Sequence, residues 1–188
     1  MLGLFVDIET TGLDPMLHAP IDIAILAVDL NDCKLLDTYQ SLICQSRQAW
    51  EKSDPESLQV NGYTFEAISG GKSPDRAAEE IIDFFNRLGV KRGEALFICQ
   101  NPAFDRSFFN QLISVYEQES FGWPYHWLDL ASMYWNTLKS PYPKPMSLSK
   151  NTIAKVYGIA PEERPHHAIR GAEHLFLCYK AVNQGSTT

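Results

Sequence analysis

Hydrophobic and polar positions fall into blocks of different period along the chain. Leu2–Ile8 is a short apolar run that ends in acids, the pattern of a buried strand. Ile21–Leu30 and Leu35–Cys44 read as two further strands, with Asn31-Asp32 between them as a hairpin turn. Pro20 suits a strand start, where no ladder donor is lost. Residues 46–73 are polar, carry Pro55, Gly62, Gly70 and Gly71, and read as loop with one short helix. In Pro74–Leu88 the apolar residues Ala77, Ile81, Phe84, Phe85 and Leu88 recur at helical spacing, with Ser73 as N-cap, Pro74 in the first turn and Gly89 as stop. Ala95–Cys99 is a short apolar strand. Pro102–Tyr116 reads as a helix with Phe104, Phe108, Phe109 and Leu112 on one side. Trp127–Leu130 is a short extended segment before a helix at Ala131–Leu138, and Pro141, Pro143 and Pro145 mark a semi-rigid loop. Ser147–Tyr157, stopped by Gly158, and His166–Val182 complete the helices. The order predicts an α/β fold, with one domain over residues 1–183 and a polar tail over 184–188.

Composition narrows the function classes. The chain has 188 residues, 45% hydrophobic and 21% charged, which argues against a disordered chain or a coiled coil. It holds no run of apolar residues long enough to span a membrane, so no membrane partner is expected. The start MLGLFVDIETTG lacks a basic region and is not expected to be a secretory signal. Cys33, Cys44, Cys99 and Cys178 are widely spaced with no CxxC pair, which speaks against zinc or redox motifs and for reduced thiols in the cytoplasm. The net charge is −7, which alone counts against a nucleic-acid partner. Yet residues 1–137 hold 9 Lys+Arg and 20 Asp+Glu, whereas residues 138–188 hold 7 and 3. Ordinary surface variation produces such asymmetry; so does a cation-collecting acidic body with a basic segment for phosphates.

Three strings carry candidate chemistry. In Phe5-Val6-Asp7-Ile8-Glu9-Thr10-Thr11-Gly12-Leu13-Asp14-Pro15, strand alternation puts Asp7 and Glu9 on one side. Paired carboxylates raise each other's pKa unless a cation neutralises them, and hard oxygen ligands suit Mg²⁺ or Mn²⁺. A strand that simply ends in solvated acids is the plainer reading of a bare D-x-E. The second string is Cys99-Gln100-Asn101-Pro102-Ala103-Phe104-Asp105-Arg106-Ser107-Phe108-Phe109. If its strand neighbours Leu2–Ile8, Asp105 on the first helical turn faces Asp7 and Glu9; a helix dipole also favours an acid there. The third string, Pro165-His166-His167-Ala168-Ile169-Arg170-Gly171-Ala172-Glu173-His174, offers two histidines for acid/base work or phosphate contact.

In this order and spacing the three strings resemble the DnaQ-like 3′–5′ exonucleases, the histidine-containing (DEDDh) branch of the ribonuclease-H-like superfamily. FVDIETTGLDP is similar to the first family motif and NPAFDRSFF to the second, and the likeness runs from about Leu4 to Ala181. Ser57–Thr64, Trp127–Leu130 and Leu148–Ile159 stand where the family has further blocks. The resemblance implies a ribonuclease-H-like fold, a central mixed five-stranded sheet with its first three strands antiparallel and helices on its flanks. It implies Asp7, Glu9 and Asp105 as ligands of two Mg²⁺ or Mn²⁺ ions, His166 as general base, and release of nucleoside monophosphates from 3′ ends of single-stranded DNA or RNA. Thr10, Thr11, Gly12, Leu13, Asn101 and Phe104 become the candidate nucleotide-binding residues, with loop packing as the other reading of Leu13 and core packing that of Phe104. Many relatives form dimers, which leaves a homodimer open.

One position departs from the family pattern. The third motif is His-x-Ala-x-x-Asp, and here Gly171 stands where the final acid belongs. One cation site is then expected to be weak or absent, with Glu173 or His174 as the nearby candidates to compensate. Two function classes follow: a metal-dependent exonuclease, impaired at Gly171, and a catalytically inactive nucleic-acid-binding module on the same scaffold. The basic residues Lys139, Lys144, Lys150, Lys155, Arg164 and Arg170, with Trp135 and Tyr142 among them, are candidates for a backbone groove in either case.

Overall fold

A computed structural model describes residues 1–184 of the chain. Its centre is a mixed five-stranded sheet in the order β3-β2-β1-β4-β5. Strands β1 (Leu2–Thr10), β2 (Pro20–Asp29) and β3 (Lys34–Leu42) form an antiparallel meander. Three short helices follow: α1 (Arg47–Trp50), α2 (Pro55–Asn61) and α3 (Phe65–Ser69). The long helix α4 (Pro74–Leu88) crosses to β4 (Ala95–Cys99), which lies parallel to β1, and β5 (Trp127–Asp129) adds parallel to β4. Helices α5 (Pro102–Leu112) and α6 (Val115–Ser120) lie between those two strands, and α7 (Leu130–Trp135), α8 (Lys150–Val156) and α9 (Ala168–Gln184) complete the described chain.

Strand alternation divides the interior into two layers. Leu4, Val6 and Ile8 of β1 face a core closed by Ile81, Phe84 and Phe85 of α4 and by Phe108 and Phe109 of α5. Phe5 points the other way, into a second core with Leu175 and Cys178 of α9 and Ile153 of α8. Its ring lies 5.0 Å from those of both Phe176 and Tyr179. By the same alternation Asp7 and Glu9 share the side of Phe5, the side that α9 covers.

Several expectations from the hydrophobic pattern require correction. Residues 46–73 form three helices rather than one, each opened by a side-chain cap from Ser46, Asp54 or Thr64. Such helices are too short to display a hydrophobic period, whereas their caps are local signals. The helix expected over Pro102–Tyr116 breaks at Ile113. Ser114 and Glu117 form a capping box there that restarts the chain as α6. The last helix begins at Ala168, so His166 and His167 sit on the preceding loop, and it runs to Gln184; the remainder of the expected polar tail lies outside the described residues.

Candidate active site

β1 outruns its parallel neighbour. Its pairing with β4 ends at Phe5↔Ile98, so Asp7 and Glu9 lie beyond the carboxyl end of that pair. There the chain leaves β4 for α5, and crevices of this kind, where strand order reverses, receive ligands in open α/β sheets. Asp105, on the first turn of α5, is buried over the same end. Asp7, Glu9, Asp105 and His166 line one cavity of about 330 Å³ with Leu13, Gln100, Asn101, Phe104, Lys150 and Glu162. A smaller hollow of about 170 Å³ adjoins it, sharing Ile8, Glu9, Leu13 and Phe104 and adding Ser57, Val60 and Asn61 from α2.

The carboxylates lie in a poorly solvated, like-charged setting. Burial pushes the Glu9 carboxyl up to about 8, with the Asp7 charge adding to the shift. Burial also pushes Asp105 up to about 8, again reinforced by Asp7. Asp7 itself is raised by burial, against the opposing pull of the Lys150 ammonium. For Lys150, burial acts to lower the pKa, and the Asp7 and Glu162 carboxylates overcome it and hold the group above the ordinary lysine range. The ammonium lies 2.8 Å from Asp7 Oδ1 and 3.1 Å from Glu162 Oε2.

The predicted nucleotide-binding residues divide by exposure. Thr10 and Thr11 are buried and hold the turn: Thr10 Oγ1 donates to Gly12 O at 2.7 Å, and Ala19 N donates to Thr11 Oγ1 at 3.0 Å. Gly12 lies against the His18 ring, where a Cβ would come within 2.5 Å of three ring atoms. Leu13, at the tip of this braced turn, is 73% exposed. Asn101 is exposed and makes no side-chain cap for α5. Phe104 is half-buried, its ring 4.9 Å from that of Phe108, so it serves the core while presenting an edge to the cavity.

The His166 loop is fastened from three sides. His166 N donates to Val60 O at 3.1 Å, and Ala168 N donates to Asp22 Oδ2 at 2.9 Å. The Tyr63 hydroxyl donates to the same Asp22 oxygen at 2.8 Å and lies 2.8 Å from His167 Nδ1. Gly62, at φ 70°, lets Pro165 approach to where a Cβ would stand 2.9 Å from it. These contacts turn His167 toward Tyr63 and leave His166 on the cavity. His166 Nε2 is buried with no hydrogen-bond partner among the described residues.

At Gly171 the close approach of α9 to β1 is plain. A Cβ on Gly171 would lie 2.1 Å from Asp7 Oδ2. Neither sequence candidate reaches this gap as an acid. Glu173 pairs with Arg170 at 2.9 Å on the exposed face of α9, and His174 Nε2 lies 2.9 Å from Ala160 O. The pattern of the chain gave no sign of Glu162, Asp22 or Tyr63 as members of the site, and it placed Lys150 in a surface groove rather than inside. Glu162 sits in a Pro-flanked loop whose path only the packing of α8 and α9 determines. Ligand atoms of Glu9, Glu162 and His166 lie within 4.8 Å of one another, a spacing that a single cation can bridge. With Asp7 and Asp105 beside them and His166 Nε2 and Glu162 Oε1 lacking partners, the donors present fit a hard divalent cation.

Comparison with known proteins bears on the fold and the family. The family model described as "Exonuclease" matches residues 4–175. The PolC-type DNA polymerase III of Thermotoga petrophila is 26% identical over 88% of this chain, which spans 11% of that polymerase. Among solved structures, the zinc-bound complex of E. coli exonuclease I with single-stranded DNA superposes with a TM-score of 0.80 at 18% identity, covering 98% of this chain and 40% of that one. The nuclease domain of 3′hExo, a DEDDh family member bound to rAMP, gives 0.74 at 14% identity, covering 98% and 92%. The fold is therefore ribonuclease-H-like, and the chain belongs to the exonuclease family.

Proposed function

We propose that the protein is a divalent-cation-dependent 3′–5′ exonuclease that releases nucleoside monophosphates from the 3′ ends of single-stranded DNA or RNA. The observation that carries this reading is the meeting of Asp7, Glu9, Asp105 and His166 in one cavity beneath exposed Leu13. Their oxygen-rich set favours Mg²⁺ or Mn²⁺. When bound, such a cation offsets the phosphodiester charge and makes water acidic enough to yield a nucleophile near neutral pH.

The chain's own groups supply the remainder. His166 Nε2, buried and unpartnered, takes the proton of the attacking water. Its loop, tied to Val60 and Asp22, holds the imidazole in place. Leu13, on a turn braced by the Thr10 and Thr11 hydroxyls, wedges against the terminal base, and the adjoining hollow beside Val60 and Asn61 receives the terminal nucleoside. Trp135 and Tyr142, stacked at 4.8 Å on the surface, offer a platform for further bases. In this reading the protein works in the cytoplasm with its four cysteines reduced; all four are free in the structure, and no helix of the described residues is long and apolar enough to cross a membrane.

The test is hydrolysis of 3′-labelled single strands with Mg²⁺ or Mn²⁺. Mononucleotide products are expected, and loss of at least about a hundredfold in rate for Asp7→Asn and His166→Ala. An absence of hydrolysis with either cation overturns the reading. A second reading, a nucleic-acid-binding module without turnover, draws on the Lys150–Asp7 pair at 2.8 Å, which occupies a carboxylate the chemistry needs. It expects salt-sensitive retention of single strands and no product.

A further inference from the structure

The groups around Gly171 form a built arrangement rather than a gap. Lys150, the first residue of α8 after the Ser149 cap, extends its ammonium between Asp7 and Glu162 and comes within 3.4 Å of Gly171 O. It is only 14% exposed. The absence of a side chain at Gly171 keeps this space open: a Cβ there would already collide with the carboxylate that Lys150 holds. Glu162 is fixed from both sides. Its N–H donates to Asn151 Oδ1 at 3.1 Å, and the segment before it is anchored where Ala160 O meets His174 Nε2 at 2.9 Å. Its side chain is 3% exposed, with Oε2 on Lys150 and Oε1 buried without a partner. A buried carboxylate oxygen left bare is costly, and Glu162 offers a carboxylate oxygen within 4.8 Å of one from Glu9, close enough to share a cation, with a His166 ring nitrogen at the same spacing to act on its water.

We infer that this chain runs a one-cation version of the site, in which Glu162 replaces the missing motif acid as a ligand alongside Glu9, and the Lys150 ammonium stands permanently where a second cation would otherwise be drawn to Asp7. The inference rests on the cation-dependent reading above and deepens it. Its logic is electrostatic. With a cation bound in place of their protons, Asp7, Glu9, Asp105 and Glu162 bring four negative charges; Lys150 and one divalent ion bring three positive ones. A second divalent ion drawn to Asp7 would have to settle within a few ångströms of an ammonium that already holds one oxygen of Asp7 and one of Glu162, and like charges that close repel strongly in a poorly solvated cavity.

Isothermal titration of Mn²⁺ into the chelator-stripped protein, paired with Mn²⁺ paramagnetic resonance, tests the inference without relying on turnover. One ion per chain with a mononuclear spectrum is expected for the unmodified protein. Glu162→Gln, of nearly the same shape, should weaken Mn²⁺ binding by about tenfold or more. Lys150→Met should raise the stoichiometry to two. Two ions per unmodified chain overturn the inference, as does Mn²⁺ affinity in Glu162→Gln within about twofold of the unmodified protein. A circular-dichroism melt checks that each variant is folded, and the unmodified protein decides the stoichiometry even if Lys150→Met does not fold. Labelled-strand hydrolysis, run in parallel, separates the two claims: two ions with hydrolysis discard the one-cation site alone, whereas no ion and no hydrolysis discard the nuclease reading with it.

Discussion

At the scale of single residues, small groups decide large effects in this site. Gly171 admits α9 to the back of Asp7, so Gly171→Asp has to displace a carboxylate that its own Cβ would meet at 2.1 Å. That substitution should cost about 1–3 kcal/mol by urea denaturation, as overpacking does. An unchanged midpoint would show that Asp7 can swing aside freely. The Tyr63 hydroxyl is a second such group, donating to Asp22 and touching His167. Tyr63→Phe leaves a buried carboxylate oxygen short of a donor and should cost about 1–3 kcal/mol. Tyr116→Phe, at a side chain almost wholly exposed, should stay within about 0.5 kcal/mol and serves as the control. What could be read from the chain at this scale followed the strength of the local rule. The Asp7/Glu9 alternation is fixed by strand geometry, and Asp105 reaches them because β4 is indeed the neighbour of β1. Glu162 and Tyr63 were invisible because no local period or cap connects either with Asp7 or Asp22, which lie far away in sequence.

At the scale of elements, caps carried more information than periodicity. Helix α4 matched its expected span because both signals agree: Ser73 accepts from Arg76 N at 3.2 Å, Pro74 opens the first turn, and Val90 N returns to Phe85 O at 3.0 Å past Gly89. The Phe-rich stripe of α5 was equally legible, but it ran on into Tyr116 by period alone. The Ser114–Glu117 capping box, printed in the sequence, was the stronger fact. Ser114→Ala should therefore destabilise the protein by about 0.5–2 kcal/mol. Backbone amide exchange would show the loosening confined to α6 and the chain near it. Uniform loosening across α5 as well would mean that the two helices behave as one. For α1, α2 and α3 the lesson is similar. Their lengths hide any stripe, and Pro55, read from the sequence as a loop residue, instead opens α2 after the Asp54 cap; the far end of α2 carries Asn61 and Val60 to the turn and the His166 loop.

At the scale of the whole molecule, two hydrophobic layers carry a charged seam between them. The layer under α4 is aromatic, with Phe85 4.7 Å from Trp123 and 5.8 Å from Phe97. Phe85→Ala should cost about 3–5 kcal/mol, which approaches the total stability of many domains of this size. The seam adds a pH dependence of definite sign. Glu9 and Asp105, both raised to about 8, keep protons in the folded chain that the unfolded chain releases at ordinary carboxylate pKa values. The folded state then binds more protons, so this contribution is fully present at low pH and is lost as pH rises toward about 8. In chelator, the denaturation midpoint should decline steadily from about pH 5 to about pH 8, and a divalent cation at the upper end should restore it. A midpoint that rises across that window would reverse the assignment. The β2–β3 hairpin was legible from its short turn, and the rest of the sheet order was not, because the chain from β3 to β4 runs through residues 43–94 and lands beside β1 rather than β3. Nor was the interior of the seam, because it is assembled from the ends of β1, α5, α8 and α9, and no sequence rule orders those ends against one another.

The contact of helix backbone with strand carboxylate at position 171 also constrains how this protein can change. A codon altered from glycine to aspartate gives a less stable molecule while Lys150 still holds Asp7 in the way. Release of that lysine has to come first, and it leaves Glu162 and Asp7 facing each other without their shared counter-charge until the aspartate or a metal arrives. The two substitutions should accordingly be strongly non-additive, and the present arrangement should persist as a ratchet that single mutations do not turn back.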